Sequence, residues 1–312
     1  MLALDPIRPF FDAQAFLVVD GGLATELEAR GFDLSDDLWS ARLLRDAPEA
    51  ILQVHRDYLE AGADCIISAS YQATVPGFMT HGLSEAEAEA LIERSVALAR
   101  QARDAFWAVE GNRAGRLRPL VAASVGPYGA YLADGSEYTG DYDLDEAELV
   151  TFHRRRWHLL VAAGPDLLAC ETIPSFAEAR ALARLLPETP QMAAWFSFSC
   201  RDGQHVSDGT LLVDALSVLE PLPQVVAVGV NCTPPRFISE LVRVARRVTA
   251  KPIVVYPNSG ERYDVVNKRW QGLSVPERFG EQGEVWRAAG ASLLGGCCRT
   301  RPGHIRQLRA HL

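Results

Sequence analysis

Three cysteines form the most informative chemical pattern in the sequence. Cys297 and Cys298 are adjacent and follow two glycines, and Cys232 lies far upstream of the pair. Thiolates are soft ligands that suit zinc, and catalytic zinc sites commonly have three protein ligands and one open position. The pattern therefore predicts one zinc ion held by these three cysteines. The alternative is that all three are small buried residues at the ends of strands.

The charge of such a site indicates what it could do. Zinc with three thiolates has a net charge of about −1, so it would polarise a carbonyl group or a water molecule only weakly. It could still bind a substrate thiol and keep it deprotonated at neutral pH, because metal coordination removes the thiol proton. The chemistry predicted is alkylation of that thiol. A structural or zinc-buffering site is the alternative, and it would need a fourth protein ligand.

The rest of the chain predicts the elements that would bring the cysteines together. Short runs of small and β-branched residues alternate with longer amphipathic segments, which is typical of buried parallel strands and covering helices. The predicted strands are 17–20, 65–70, 120–125, 167–171, 193–199, 226–231, 253–256 and 292–294. The predicted helices are 48–60, 84–109, 145–163, 175–186, 213–219, 235–248, 276–289 and 302–310.

Eight strand–helix pairs predict the α/β class and a single (β/α)8 TIM barrel that spans residues 1–312 as one domain. A doubly wound open sheet is the alternative, but the glycines after the first strand lack the third glycine of a dinucleotide-binding loop. In a barrel, Cys232 ends the sixth strand and the Cys297–Cys298 pair follows the eighth. Both positions lie at the carboxyl ends of strands, where barrel active sites form.

Two strand-to-helix loops are long enough to contribute to that mouth. Residues 126–144 contain four tyrosines and several acids, and the loop 257–275 contains Asn258, Glu261 and Tyr263. In the first loop, Tyr128, Tyr131 and Tyr138 are candidates for contact with a cationic substrate, because aromatic faces attract cations. The alternative is that these tyrosines only pack against their own barrel.

Composition excludes some classes of partner. The 312-residue chain has a formal net charge of −9, which argues against a nucleic-acid or anionic-membrane partner. It contains no apolar run of about 18 residues and no signal-peptide pattern, so we expect a cytoplasmic protein. In a reducing compartment the six cysteines are expected to be thiols. The sequence leaves the oligomeric state open.

Several segments carry a resemblance to a known family. Residues 20–22 (Asp-Gly-Gly), 65–74, 230–232 (Val-Asn-Cys) and 295–298 (Gly-Gly-Cys-Cys) resemble the homocysteine S-methyltransferase family. Residues 36–40, 124–138 and 256–261 resemble its S-methylmethionine-using branch. The resemblance implies a zinc-dependent enzyme that moves a methyl group from a sulfonium donor to the homocysteine thiolate and gives methionine. The donor implied is S-methylmethionine or, less well used, S-adenosylmethionine.

The resemblance also implies roles for individual residues. The three cysteines correspond to the zinc ligands, with no catalytic residue expected beyond the metal site. Asp20 and Glu171 correspond to the acids that hold the homocysteine ammonium group, and backbone amides near Gly21 and Gly22 could receive the carboxylate. The pocket is expected to be lined by Tyr71, Gln72, Asn231 and, toward the donor, Tyr128. Without the resemblance, Asp20 could be a turn or helix-capping acid and Glu171 a paired structural carboxylate.

Two further alternatives remain open within the same fold. Betaine could be the methyl donor, although the match at residues 124–138 favours a sulfonium. Selenocysteine could be an acceptor, because a selenolate could take the position of the thiolate.

Overall fold

The central sheet contains eight parallel strands. The computed structural model describes residues 5–34, 38–260, 262–264, 269–271 and 274–312. The strands are β1 (Leu17–Val18), β2 (Cys65–Ile67), β3 (Leu120–Val125), β4 (Leu167–Ile173), β5 (Ala194–Phe198), β6 (Val225–Asn231), β7 (Ile253–Tyr256) and β8 (Leu293–Leu294). From β2 to β8 each strand pairs with the next, and β8 pairs in parallel with β1.

The sheet closes between its first two strands. Val19 and Cys65 form a parallel bridge, and the backbone N–H of Asp20 donates to the carbonyl of Cys65 at 3.0 Å. This closure confirms the prediction of a (β/α)8 TIM barrel, and the alternative of an open doubly wound sheet is wrong. β1 and β2 are shorter than predicted, because their last predicted residues leave the ladder and form the mouth of the barrel. β8 begins one residue later than predicted, at Leu293.

A helix follows each strand and covers the outside of the barrel. The helices are α1 (Pro48–Ala61), α2 (Glu85–Ala108), α3 (Glu146–Ala162), α4 (Phe176–Ala183), α5 (Leu212–Ser217), α6 (Pro235–Ala245), α7 (Pro276–Ala289) and α8 (Pro302–His311). Capping boxes that start at Ser84 and Asp145 begin α2 and α3, and they satisfy N–H groups that have no partner within the helix.

Shorter helices that the sequence pattern did not predict lie at the amino terminus and in the loops. They include Arg8–Gln14, Leu23–Ala29, Val75–Thr80 and Tyr128–Leu132. Each is too short to show a clear helical repeat of apolar residues. The loop after β7 contains an antiparallel hairpin of Arg262–Asp264 and Arg269–Gln271. Glu261, which the sequence singled out there, lies outside the described residues, as do Asp36 and Asp37 of the segment 36–40.

The barrel encloses an apolar interior that becomes polar toward its carboxyl end. Leu120 and Ala122 of β3, and Leu167 and Ala169 of β4, belong to this inner core. Side chains alternate along a strand, so Ser124 and Glu171 occupy the next inward positions. A separate and larger apolar layer fills the space between the strands and the helices. The inner face therefore places polar groups at the mouth of the barrel.

Among the helices that the structure describes, none combines the length and the apolar character needed to span a membrane.

Candidate metal and substrate site

The three predicted cysteines meet at the mouth of the barrel. The sulfur atoms of Cys232, Cys297 and Cys298 all lie within 4.8 Å of one another, and those of Cys232 and Cys298 are 3.5 Å apart. A tetrahedral zinc with metal–sulfur distances of about 2.3 Å would set its ligand sulfurs about 3.8 Å apart. The cluster therefore fits such an ion. Within the described residues, no histidine, cysteine or carboxylate joins the three as a fourth ligand.

Backbone hydrogen bonds fix the cysteines to three neighbouring strands. The N–H of Cys232 donates to the carbonyl of Tyr256 at 3.1 Å, and that of Cys297 donates to the carbonyl of Pro257 at 2.8 Å. Cys232 has a φ of +48°, a left-handed conformation that ends β6 and turns the chain away from the strand direction. The positions of these sulfurs are thus determined by the ends of β6, β7 and β8.

The two glycines before the cysteine pair allow the end of β8 to pass close to β1. A Cβ atom at Gly295 would lie 2.7 Å from the Cβ of Val19, and one at Gly296 would lie 2.3 Å from the Thr300 hydroxyl oxygen. Both distances are shorter than side chains tolerate, so only glycine fits. Close approach to β1 at Gly295 and to the Thr300 side chain at Gly296 is therefore the reason for glycine at these two positions.

The thiols influence one another's protonation. Hydrogen bonds from the Cys232 and Cys297 thiols hold the pKa of Cys298 well below its ordinary value. Hydrogen bonds with Cys232 and Cys298 raise the pKa of Cys297. A thiolate is therefore favoured within the cluster even without a cation. Thiolates are the form of cysteine that binds metals.

Asp20 and Glu171 lie buried beside the thiols. Asp20 is 3% exposed and accepts a hydrogen bond from the N–H of Ile67 at 2.8 Å, and burial raises its pKa well above the ordinary value. Glu171 is 7% exposed and accepts a hydrogen bond from the Ser124 hydroxyl. Burial raises the pKa of Glu171 to about 7, and its charge also raises the pKa of Asp20. Neither acid forms a salt bridge within the described part of the chain. Two buried acids close together favour a cation between them.

Asn231 holds the end of β4 in an unusual conformation. The pairing of β4 with β5 shifts register between Cys170 and Ile173, and Thr172 has a φ of +57°. The Oδ1 of Asn231 accepts from the N–H of Thr172, and its Nδ2 donates to the Thr172 hydroxyl, each at 2.7 Å. Asn231 was predicted to line the pocket, and the structure shows its buried amide bonded to the residue after Glu171.

Gly21 and Gly22 lie between β1 and the cysteine pair. The N–H of Gly22 donates to the Thr300 hydroxyl at 3.1 Å, and its carbonyl accepts from the Tyr58 hydroxyl at 3.1 Å. The N–H of Gly21 has no hydrogen bond within the described residues. A Cβ atom at Gly22 would lie 2.7 Å from the carbonyl oxygen of Cys297, so the glycine loop packs directly on the metal site. Of the two amides, that of Gly21 is free to receive a carboxylate.

The tyrosines of the loop 126–144 separate into two groups. The hydroxyl of Tyr138 lies 3.6 Å from the sulfur of Cys232, and the residue is 46% exposed at the mouth. Tyr128 instead packs its ring against Tyr142 and Phe152, with centroids 5.2 and 4.8 Å away. The tyrosine that reaches the sulfurs is therefore Tyr138. Sequence spacing could not distinguish it, because a loop has no repeat that orients its side chains.

Tyr71 and Gln72 also differ in where they point. Burial raises the pKa of Tyr71, and negative charge at Glu137 and Cys232 raises it further, so its phenol lies near the sulfurs. The Nε2 of Gln72 donates to the carbonyl of Ala130 at 3.0 Å, which ties the loop after β2 to the loop after β3. The Tyr71 phenol thus lies close to the cysteine cluster, whereas Gln72 connects two loops.

Glu137 is a half-buried acid to which the sequence assigned no role. Burial raises its pKa to about 7, and the neighbouring charges of Asp134 and Cys298 add to this rise. Its Oε2 atom is buried and has no hydrogen-bond partner within the described residues. The only signal in the sequence was its position next to Tyr138 in a loop rich in acids and tyrosines.

Known proteins resemble this chain in sequence and in fold. The model of the family described as homocysteine S-methyltransferase matches residues 17–312. The homocysteine S-methyltransferase YbgG of Bacillus subtilis is 53% identical over 307 residues, which are 98% of each chain. A selenocysteine methyltransferase of Astragalus bisulcatus is 50% identical over 93% of this chain and 90% of its own. The crystal structure of the homocysteine methyltransferase MmuM from Escherichia coli, in its metallated form, superposes with a TM-score of 0.89 at 50% identity, over 98% of this chain and 100% of that one. This chain belongs to the homocysteine S-methyltransferase family.

Proposed function

We propose that this homocysteine S-methyltransferase uses a zinc ion held by Cys232, Cys297 and Cys298, and that its methyl donor is a sulfonium. The observation that carries the proposal is the meeting of three sulfur atoms within 4.8 Å of one another, without a fourth protein ligand among the described residues. When bound there, zinc supplies a Lewis acid that lowers the pKa of an incoming thiol. Three soft donors favour zinc over magnesium or calcium.

The acids and the glycine loop are suited to bind homocysteine as an amino acid. Its ammonium group would pair with Asp20 and Glu171, which are buried and have no salt bridge in the described part of the chain. Its carboxylate would accept from the N–H of Gly21, while Gly22 keeps the loop against Cys297. Ammonium and carboxylate contacts orient the substrate, so its sulfur is directed toward the three cysteines. Pairing with a cation would also keep both acids ionised at neutral pH.

Other predicted pocket residues shape the site in this proposal. Asn231 holds Thr172 and thereby positions Glu171, while Tyr71 forms one wall near the sulfurs. Gln72 and Tyr128 keep the loops after β2 and β3 in place through their contacts with Ala130 and Phe152. Neither of these two needs to touch a substrate.

The donor would enter over the exposed ring of Tyr138. A sulfonium is a cation, and both the aromatic face and the surrounding acids attract it. The homocysteine sulfur forms a bond to the methyl carbon while the bond from that carbon to the donor sulfur breaks. The electron pair of the broken bond stays on the donor sulfur, which leaves as a neutral thioether. No proton is transferred to the leaving group, so no general acid is required.

A methyl-transfer assay with measured metal content tests this proposal. Purified protein is supplied with homocysteine and, in turn, S-methylmethionine, S-adenosylmethionine or betaine. We expect one zinc per chain and methionine formation that is fastest with S-methylmethionine. A Cys298→Ala variant is expected to lose both zinc and activity while its circular dichroism spectrum stays unchanged. Full zinc content and normal turnover in that variant would refute the ligand assignment, and preference for betaine would refute the donor.

Selenocysteine is a second candidate acceptor, because one relative at 50% identity is named a selenocysteine methyltransferase. A selenolate is a soft nucleophile that could take the place of the thiolate. Competition between homocysteine and selenocysteine for a limiting amount of S-methylmethionine measures the preference. Absence of methylselenocysteine in that mixture would exclude this acceptor.

We also propose that residues 1–312 work as one homocysteine-binding domain, because the site residues come from strands all around one barrel. Three thiol ligands must stay reduced, so the cytoplasm is the proposed location.

A further inference from the structure

Glu137 is a half-buried acid with one fully buried carboxylate oxygen, and the proposed chemistry leaves it without a function. It lies in the turn Ser136–Tyr138, and its backbone carbonyl accepts a hydrogen bond from the Ser199 hydroxyl at 3.2 Å. A Cβ atom at Gly129 would lie only 2.3 Å from the backbone nitrogen of Glu137, so the preceding short helix packs directly on this turn. The position of Glu137 is therefore fixed by contacts on both sides.

The part of the chain that the structure describes provides no ion-pair partner for the Glu137 carboxylate. Its Oε2 is buried without a hydrogen-bond partner, and Glu137 forms no salt bridge within the described residues. The ionisable groups whose charges act on it or respond to it are Asp134, Cys298, Tyr71 and Tyr138, which are all acids. Burying a carboxylate oxygen without a partner costs free energy, which a bound cation or hydrogen-bond donor would recover.

The location of Glu137 places it nearer to the proposed methyl donor than to homocysteine. Asp20 follows β1 and Glu171 lies near the end of β4, both buried, whereas Glu137 lies in the loop after β3, next to the exposed Tyr138. Homocysteine brings a single ammonium group, which the two inner acids can neutralise. A sulfonium amino acid brings a second ammonium group and the sulfonium group itself. It therefore supplies positive charge, which is missing beside the Glu137 carboxylate.

We propose that the Glu137 carboxylate pairs with the positive charge of the methyl donor and makes the enzyme selective for cationic donors. The inference rests on the proposed function, because it requires a sulfonium donor. Burial raises the pKa of Glu137 to about 7 in the empty site, and an adjacent cation would lower it, so donor binding would keep the carboxylate ionised. Tyr138 supplies the aromatic face and Glu137 the opposite charge for the same ligand.

The test compares Glu137→Gln with Asp141→Asn. Both substitutions remove one negative charge from the same loop, but Asp141 is exposed. In Glu137→Gln the KM for S-methylmethionine is expected to rise about 10- to 100-fold, the range for loss of one charge-assisted contact. The KM for homocysteine and the zinc content are expected to stay within about twofold. Asp141→Asn should leave both KM values nearly unchanged.

A binding measurement makes the test independent of turnover. Calorimetric titration of S-methylmethionine into the zinc-loaded protein, without homocysteine so that no turnover occurs, should show the same weakening in Glu137→Gln. A second titration with dimethylsulfoniopropionate, which lacks the ammonium group, identifies the charge. Equal weakening for both ligands assigns the sulfonium, and weakening for S-methylmethionine alone assigns the ammonium.

Two results would overturn the inference, and they differ in what they say about the enzyme. If wild-type protein uses S-methylmethionine but Glu137→Gln has unchanged donor KM and affinity, the inference fails and the proposed function stands. If wild-type protein neither binds nor uses any sulfonium while it methylates homocysteine from another donor, the proposed donor fails and the inference fails with it.

Discussion

Replacement of Asn231 by alanine should both weaken the fold and misplace Glu171. The substitution removes two buried hydrogen bonds to Thr172, each at 2.7 Å, and leaves the Thr172 N–H without a partner. At about 1 kcal/mol for each bond and about 1 kcal/mol or more for the orphaned donor, the loss is about 3 kcal/mol. Thr172 also keeps a positive φ of +57°, which is unfavourable for a β-branched residue once its partner is gone.

The functional consequence follows from the sequence order at the end of β4. Glu171 immediately precedes Thr172, so relaxation of this residue toward the ordinary β conformation would rotate the carboxylate away from the mouth. We expect the free energy of unfolding of Asn231→Ala to fall by about 3 kcal/mol and the homocysteine KM to rise at least about tenfold. Urea denaturation and steady-state kinetics measure the two effects, and zinc analysis shows whether adjacent Cys232 is disturbed.

The double variant Asn231→Ala with Thr172→Gly is the matched control. Glycine adopts a positive φ without steric strain, so it should recover about 1 kcal/mol of the lost stability and part of the homocysteine affinity. The reasoning would be refuted if Asn231→Ala lowered stability yet left the homocysteine KM unchanged. It would also be refuted if glycine at position 172 made the double variant less stable than Asn231→Ala alone.

Three other predictions concern stability, the acceptor and the donor. Burial lowers the pKa of His55 to about 4 from its ordinary 6.5. Between these two pH values the imidazole is protonated in the unfolded chain but neutral in the folded chain. The free energy of unfolding should therefore fall by about 3 kcal/mol as the pH drops from 6.5 to 4. Urea denaturation should show this component missing in His55→Leu, and parallel pH profiles would contradict it. Glu171→Gln should raise the homocysteine KM at least about tenfold without loss of zinc, and unchanged kinetics would remove Glu171 from the acceptor site. Tyr138→Ala should raise the donor KM several-fold. Tyr128→Ala should mainly destabilise the fold, by about 3 kcal/mol in urea denaturation. A raised donor KM in Tyr128→Ala together with an unchanged donor KM in Tyr138→Ala would contradict the assignment.

The barrel and the meeting of the three cysteines could be predicted from the sequence because both depend on local patterns and a fixed strand order. β3 and β7 have the predicted bounds, since each is a continuous run of buried residues. Once the barrel is assumed, Cys232 and the Cys297–Cys298 pair must flank the end of the strand between them. Their convergence therefore follows from topology rather than from any fine detail of packing.

Other features of the site depend on contacts that a local pattern does not contain. The bulge at Thr172 requires the amide of Asn231 on a strand two positions away, so reading β4 alone gives an ordinary strand end. The choice of Tyr138 over Tyr128 depends on how one loop folds over the mouth. The unpartnered oxygen of Glu137 is visible only when all neighbouring side chains are placed.

X-ray absorption spectroscopy of the zinc-loaded protein tests the central claim most directly, because it counts sulfur ligands. We predict three sulfur ligands at about 2.3 Å from Cys232, Cys297 and Cys298, and a fourth sulfur after homocysteine is added. A matched sample with homoserine, which has a hydroxyl in place of the thiol, should gain no fourth sulfur. A four-sulfur spectrum without homocysteine, or a three-sulfur spectrum that homocysteine leaves unchanged, would contradict the account.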